Sequence, residues 1–392
     1  MESYITMTRT VQVTLNPTSE QAPALAETSR CFTEAFNHVC ACGWTNDEKN
    51  GVTLHHLTYF PLREQLPRLN SDLVCSARVK ATETLKSVFA RAKAKCKAGQ
   101  PHSSACPPRY NVKTFKVSWE DSFVRLSTTS GRMTIPFVVP QYATKYIGGR
   151  VLSADLIERN GHWRLHIAVE LPTPTFAHTP EVVGVDLGIA RPAVTSTNRF
   201  LGSRHWKRVE ARTLNLRRTL QAKATKSARR HLTRVRHHQA NFRRDCDHVL
   251  SKQIVAAVEP GGTVVLEDLS HIRSRIRLHH GAQSRRLHGW SFAQLQSFVA
   301  YKAEEKGLTV ALVNPTHTSQ ACSSCRHTAR NNRRSQSAFE CRKCGFSLNA
   351  DLNAARNIAA KYLTSTGIPS ASGLSVNQPI AGKTLSPASR RL

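Results

Sequence analysis

Acidic side chains are scarce in this chain: 26 Asp and Glu stand against 56 Lys and Arg in 392 residues. The resulting formal charge of +30 points to a polyanionic partner, because cationic side chains gain entropy by releasing a polyanion's counterions. Long apolar runs are missing as well. No stretch reaches the roughly 18 apolar residues of a transmembrane helix. The opening MESYITMTRTVQ lacks the apolar core of a signal peptide, and no basic amphipathic helix with an aromatic face stands out. A GxxxxGK[ST] phosphate loop is absent, as is any Ser-His-Asp or Cys-His order. These absences leave a cytoplasmic protein with no membrane partner as the expectation. Eleven cysteines, an odd number with four in metal spacing, fit a reducing compartment better than a disulfide framework.

The chain is long enough for two or three domains. Residues 7–15, MTRTVQVTL, alternate as a strand. Thr18 then serves as a helix N-cap, and a second helix begins at Ser71, with Lys86, Arg91, Lys93, Lys95 and Lys97 crowding its far end. Around Gly99-Gln100-Pro101 the period changes to two. Segments 112–119, 122–128, 133–139 and 150–158 read as strands, and Asn160-Gly161 turns the chain into a further strand through Leu171. The reading is an antiparallel, barrel-like β domain with helices inserted after its first strand.

Pro172-Thr173-Pro174 and Thr179-Pro180 mark a linker. EVVGVDLGIARPAVTS (181–196) reads as strand, tight turn and returning strand around Asp186. One long helix is expected from Arg204 to Val258, carrying fourteen Lys and Arg between Ser203 and His248. GTVVLEDLS (262–270) is a buried strand ending in acids. A basic loop with Arg273, Arg275, Arg277, Arg285 and Arg286 follows, then a helix from Trp290 to Lys306 and a strand at 308–314. The tail from residue 364 has too little apolar content to fold.

Cys322-x-x-Cys325 and Cys341-x-x-Cys344 are separated by fifteen residues. Two such pairs wrap one tetrahedral Zn²⁺, and a closed four-sulfur site is structural rather than catalytic. Three acids stand out for a different reason. Asp186 and Glu267 sit in apolar runs, where an unpaired carboxylate is costly, and Asp351 opens a helix whose dipole favours negative charge. Mg²⁺ takes hard oxygen ligands, so a shared divalent site would offset that cost. Two such ions about 4 Å apart hydrolyse phosphodiesters, with Asp186 bridging and Glu267 and Asp351 holding one ion each. Asp268 points to the other strand face.

At these residues the chain resembles the TnpB family, RNA-guided nucleases of bacterial insertion sequences related to the type V CRISPR effectors. GVDLGI (184–189), VVLEDLS (264–270) and ADLNAARNI (350–358) resemble its three RuvC-like motifs in order. Residues 290–307 resemble the helix before its zinc module, NPTHTSQACSSC (314–325) and CRKCG (341–345) the module itself, and RTVQVTLNPTSEQ (9–21) its opening strand. Asn349-Ala350 departs from the charged residues many relatives carry there.

The resemblance implies an α/β multidomain fold. A β-barrel wedge domain (1–15 and 104–175) carries a helical recognition lobe (16–103). A RuvC/RNase H-like nuclease core (176–315 and 349–363) holds an inserted zinc module (316–348), followed by a disordered tail (364–392). It implies Mg²⁺ at the three acids, guide RNA and double-stranded target DNA as partners, and a separate transposase encoded by the same element. Backbone contacts are then expected from Arg217, Arg218, Arg229, Arg230, Arg234 and Arg236 on the long helix. On the zinc module they are expected from Arg326, Arg330, Arg333, Arg334, Arg342 and Lys343. The alternatives are a miniature CRISPR-type effector and a non-cutting RNA-guided regulator of transposition.

Overall fold

β1 (Thr6–Leu15) buries alternate side chains, Met7, Val11, Val13 and Leu15 among them, so period two in the sequence becomes one wet and one dry strand face. It opens the first of two units, Met1–Pro172 and Thr173–Leu392, seen in a computed structural model that describes residues 6–94, 96, 98–177, 179–188, 191–269 and 292–366.

The first unit continues with α1 (Gln21–Thr45), α2 (Gly51–Gln65) and α3 (Ser71–Lys93). Strands β2 (Arg109–Asn111), β3 (Phe115–Ser118), β4 (Phe123–Thr128), β5 (Gly131–Val138), β6 (Arg150–Arg159) and β7 (His162–Pro172) follow. The sheet order is β2-β6-β7-β1-β5-β4-β3, all antiparallel. Its two edges, β2 and β3, are joined by a three-residue turn that Thr114 and Asn111 close, so the sheet nearly shuts on itself. One strand was expected across 112–119; that turn takes its first three residues, and only Phe115–Ser118 is strand. Asn160 and Gly161 both take positive φ, 55° and 75°, as a two-residue hairpin requires. The helices share one core with the sheet, where Phe32, Leu54 and Leu85 join Tyr110, Leu126 and Leu165.

Thr18 caps α1 reciprocally: its Oγ1 accepts from Gln21 N at 3.2 Å, while Gln21 Oε1 accepts from Thr18 N. Helix α2 is absent from the sequence reading. It carries Pro61 in its interior and an exposed Val52 and Phe60, so neither breaker nor period announces it. Asn50 nucleates it by accepting from Val52 N at 2.8 Å. Lys95 and Lys97, expected at the far end of α3, lie outside the described residues.

In the second unit β8 (Val182–Asp186), β9 (Ala193–Thr195) and β10 (Phe200–Leu201) form an antiparallel run. β11 (Thr263–Glu267) pairs parallel with β8, and β12 (Thr309–Val313) parallel with β11. The five-strand order is β10-β9-β8-β11-β12. α4 (Arg204–Lys223), α5 (Lys226–Val255) and α6 (Phe292–Glu305) follow the chain, then β13 (Ala338–Glu340), β14 (Ser347–Asn349) and α7 (Ala350–Thr366). α5 and α6 share a core with Val183, Val185, Ala193 and Leu266 on one sheet face. α7 covers the other face, where Ile358 meets Val265 and Val313. Gly307, with φ 63°, stops the chain after α6. The Arg273–Arg286 loop, Trp290 and the tail from residue 367 lie outside the described residues.

The single long helix expected over 204–258 is instead a hairpin, α4 and α5. Ala224 turns left-handed at φ 51°, and Thr225 Oγ1 accepts from Ala228 N to start the second helix. Leu220, Ala228, Leu232 and Val235 pack the two helices together.

Gly184 sets how closely α7 lies on β8. A Cβ there would stand 2.2 Å from the carbonyl oxygen of Ala355 and 2.6 Å from the amide nitrogen of Ala359, both backbone. Gly184→Ala therefore has to push the helix off the sheet. We expect a loss of about 3 kcal/mol in stability, seen as an earlier thermal transition of the second unit.

Candidate metal centre

Strand register places the acids. The β8–β11 ladder pairs Val183 with Val264 and Gly184 with Val265. Two residues further along both strands, Asp186 and Glu267 stand level on the same sheet face, about 4.8 Å apart in the pairing direction. That is the face covered by α7, whose first turn carries Asp351. Asn349 Oδ1 accepts from the amides of Asp351 and Leu352 at 3.1 and 3.2 Å. Asn349 is thus the N-cap of α7, which gives the departure noted in the sequence a structural use.

Asp186 feels both of the other carboxylates. Burial first, then the charges of Glu267 and Asp351, push the Asp186 carboxyl up to about 8, against a smaller opposing pull from Arg333. Glu267 is raised by burial, opposed by Thr318 and Lys361, and Asp351 by burial, opposed by Arg333, Arg191 and Lys207. Thr318 Oγ1 donates to Glu267 Oε1 at 2.6 Å. Arg333 Nη2 donates to Asp351 Oδ1 at 3.0 Å, and the Asp351 side chain is only 7% exposed. Three hard oxygen donors kept protonated by burial, with Asp186 raised further by the other two, are what a divalent cation would relieve, so the donor set fits Mg²⁺.

The four cysteines form the second cluster. Their Sγ atoms all lie within 4.8 Å of one another, with Cys322–Cys344 at 3.8 Å and Cys325–Cys341 at 3.5 Å. Thiolates 2.3 Å from a tetrahedral ion would sit about 3.8 Å apart, so the group could hold one. Burial raises the Cys341 thiol, but the amides of Cys344 and Lys343 outweigh it and bring it down to about 7. Amides of Cys325 and Ser324 likewise face the Cys322 sulfur, though burial there prevails. Among the described residues, these thiols are the group of metal-binding side chains drawn so close together.

Helix α7 clasps this module. Asn353 Nδ2 donates to Ala321 O at 2.8 Å, and its Oδ1 accepts from Ser323 N at 3.0 Å. Asn357 Nδ2 donates to Thr318 O and Ala321 O at 2.8 and 2.7 Å. Both asparagines are buried, and their spacing of four is the one sequence signal that could have announced the clasp. Thr318, Lys361, Arg191 and Lys207 carry no such signal; they reach the acids only through the fold.

The expected phosphate-binding residues divide. Arg218, Arg229, Arg230, Arg234 and Arg236 are exposed on α4 and α5, as are Arg326, Arg330, Arg342 and Lys343 on the module. Arg217 is turned inward instead, donating to Gln239 Oε1 at 3.0 Å across the hairpin. Arg333 is spent on Asp351, and Arg334 pairs with Glu340 at 2.9 Å.

Comparison with known proteins adds to this geometry. A family model described as "Probable transposase" matches residues 166–270, and one described as "Cas12f1-like, TNB domain" matches 292–358. The chain is related to the TnpB family. The first match spans Asp186 and Glu267, and the second spans the cysteines and Asp351. The "CRISPR-associated endodeoxyribonuclease Cas12f1" of Sulfoacidibacillus thermotolerans is 28% identical over 361 residues, 81% of this chain and 81% of that protein. The "Putative RNA-guided DNA endonuclease InsQ" of Escherichia coli (strain K12) is 30% identical over 263 residues, 60% of this chain and 63% of that one. The fold is that of a solved Cas12f1 protein in complex with sgRNA and target DNA, at TM-score 0.63 and 16% identity, covering 91% of this chain and 99% of the other. Among the described residues, no helix is long and apolar enough to cross a membrane.

Proposed function

We propose that this TnpB-like chain is an RNA-guided DNA endonuclease that hydrolyses phosphodiesters at Asp186, Glu267 and Asp351. The observation that carries the reading is the charge that Glu267, at the end of β11, and Asp351, at the start of α7, both place on Asp186 at the end of β8. The five-strand mixed sheet, read along its own chain order as 3-2-1-4-5, supports a RuvC/RNase H-like core. The relatives' names support guide RNA and DNA as partners.

Mg²⁺ held by these carboxylates would supply an acidified water and a counter-charge for the leaving oxygen. The chain's own residues prepare that site. Thr318 fixes the Glu267 carboxylate by its Oε1, and Arg333 orients Asp351 from the module. The charges of Lys361 on Glu267, and of Arg333, Arg191 and Lys207 on Asp351, favour the ionised carboxylates and offer cationic groups to a phosphate. In the four-cysteine module Zn²⁺ is the fitting ion, as four sulfurs leave no open position.

The test uses the full chain purified with RNA from its native locus. With Mg²⁺ it should linearise a plasmid carrying the matched sequence beside a randomised flank. An intact plasmid with the RNA present would overturn cutting and leave the non-cutting regulator. On the same complex, replacing Arg218, Arg229, Arg230, Arg234 and Arg236 together should flatten the salt dependence of DNA binding by about one unit of slope per lost phosphate contact. An unchanged slope would remove the α4–α5 hairpin from the interface.

A further inference from the structure

We propose that Phe200 and Arg191 form a stacking subsite for a nucleobase of single-stranded nucleic acid, beside the carboxylate cluster. The strand's identity rests on the nuclease reading above; the subsite itself rests on register and exposure. β9 pairs Val194 with Asp186 on one side and with Phe200 on the other. Directly paired residues project to the same sheet face, so Asp186, Val194 and Phe200 stand in a row across three strands. Two strand spacings put the ring about 10 Å from the acid. Val194 between them is fully buried, whereas Phe200 is 41% exposed.

Arg191 lies over the Phe200 ring, its guanidinium carbon 5.4 Å from the centroid. The charge of Arg191, with that of Lys207, also reaches Asp351. One cation therefore faces both the aromatic ring and the acids, which is where a phosphate between a stacked base and the cluster would lie.

The platform is rigid. Thr195 N donates to Arg199 O at 3.0 Å, and Arg199 N donates to Thr195 Oγ1 at 3.1 Å, closing the β9–β10 hairpin. At φ 89° Gly202 lets the Pro192 ring approach to 2.6 Å of where a Cβ would be, pinning the base of Arg191 beside β10. Gly202 N is held by Gln253 Oε1 at 3.1 Å. An exposed aromatic ring on fixed backbone, flanked by cations, suits base stacking. Every base offers a π-face, but only an unpaired strand leaves it free, so the subsite is indifferent to sequence and selective for single strands.

The experiment places substitutions in the full, RNA-loaded Asp186→Asn chain, which does not consume the probe. The probe is a single-stranded DNA oligonucleotide carrying 2-aminopurine. Binding should quench its fluorescence. Phe200→Ala should abolish the quenching and weaken binding about tenfold, while Phe200→Trp keeps both. Arg191→Ala should lower affinity and reduce the salt slope by about one. A melting temperature for Phe200→Ala equal to its parent's shows that the fold is intact. Unchanged quenching and affinity in Phe200→Ala would overturn the subsite, as would an equal loss on a fully paired duplex. Plasmid cutting by the chain with Asp186 judges the other reading. A chain that quenches through Phe200 yet never cuts keeps the subsite and loses the nuclease. One that cuts, with quenching indifferent to Phe200, does the reverse.

Discussion

Asp186→Asn should abolish cutting and, in the same protein, raise the melting temperature of the cation-free chain at pH 8. The first effect follows from removing the carboxylate that both other acids act on; a loss of about 10³-fold or more is expected. The second follows from linkage. Folding lifts the Asp186 carboxyl from an ordinary value near 3.8 to about 8, so the folded state binds a proton that the unfolded chain has released. Such a group costs nothing below about pH 4. Its cost grows as pH rises from there and is complete near pH 8. The penalty is on the order of 2–4 kcal/mol once the side chain's partial access to water is allowed for. Asparagine has no proton to lose, so its gain should be absent at pH 4 and largest at pH 8. A divalent cation that binds only the folded form supplies the wild type with the same relief. Calorimetry across pH, with and without Mg²⁺, reads all of this. An Asp186→Asn chain that melts like wild type at pH 8 without cations, or keeps the Mg²⁺-dependent rise, would refute that account.

The elements that pattern predicted well are those whose periodicity is local. β1, β6 and β7 alternate cleanly, and Asn160-Gly161 specifies its own turn chemistry. The α4–α5 hairpin was hidden because its break uses Ala224 and Thr225, with neither glycine nor proline to mark it. Helix α2 was hidden because Pro61 lies inside it. The same division holds at the site. The cysteine spacing is self-announcing, and Asp186 and Glu267 attract notice as charges inside apolar strands. Arg333 looked like one basic residue among many. Its bond to Asp351 depends on how residues 326–340 fold back over α7, which no window of sequence encodes. Phe200 was invisible for the same reason: its place beside Asp186 comes from the pairing of three strands.

Cys341→Ser should silence the enzyme while all three acids remain in the sequence. The module has little core of its own: Phe339, Ala350 and the cysteines, with Phe346 against them. A tetrathiolate zinc supplies apparent binding energy of about 10–16 kcal/mol, which in so small a module is folding energy. Without it the segment between the cysteine pairs should open. Asp351 then loses Arg333, and α7 loses the carbonyls of Thr318 and Ala321 that hold Asn353 and Asn357. Thr318, which fixes Glu267, lies just before Cys322 and is held by Asn357 of the same helix. Glu267 and Asp351 are therefore both positioned through the cysteine site. The variant should carry no zinc where the parent carries about one ion per chain. Its amides from 316 to 349 should exchange rapidly, while those of β8 and β11 stay protected and the first unit is unchanged. Chelation of the parent should reproduce the pattern, and restoring Zn²⁺ should reverse it. A Cys341→Ser chain that still cuts, or that keeps residues 316–349 protected without metal, would show that the module folds on its own and that the acids are set by the sheet alone.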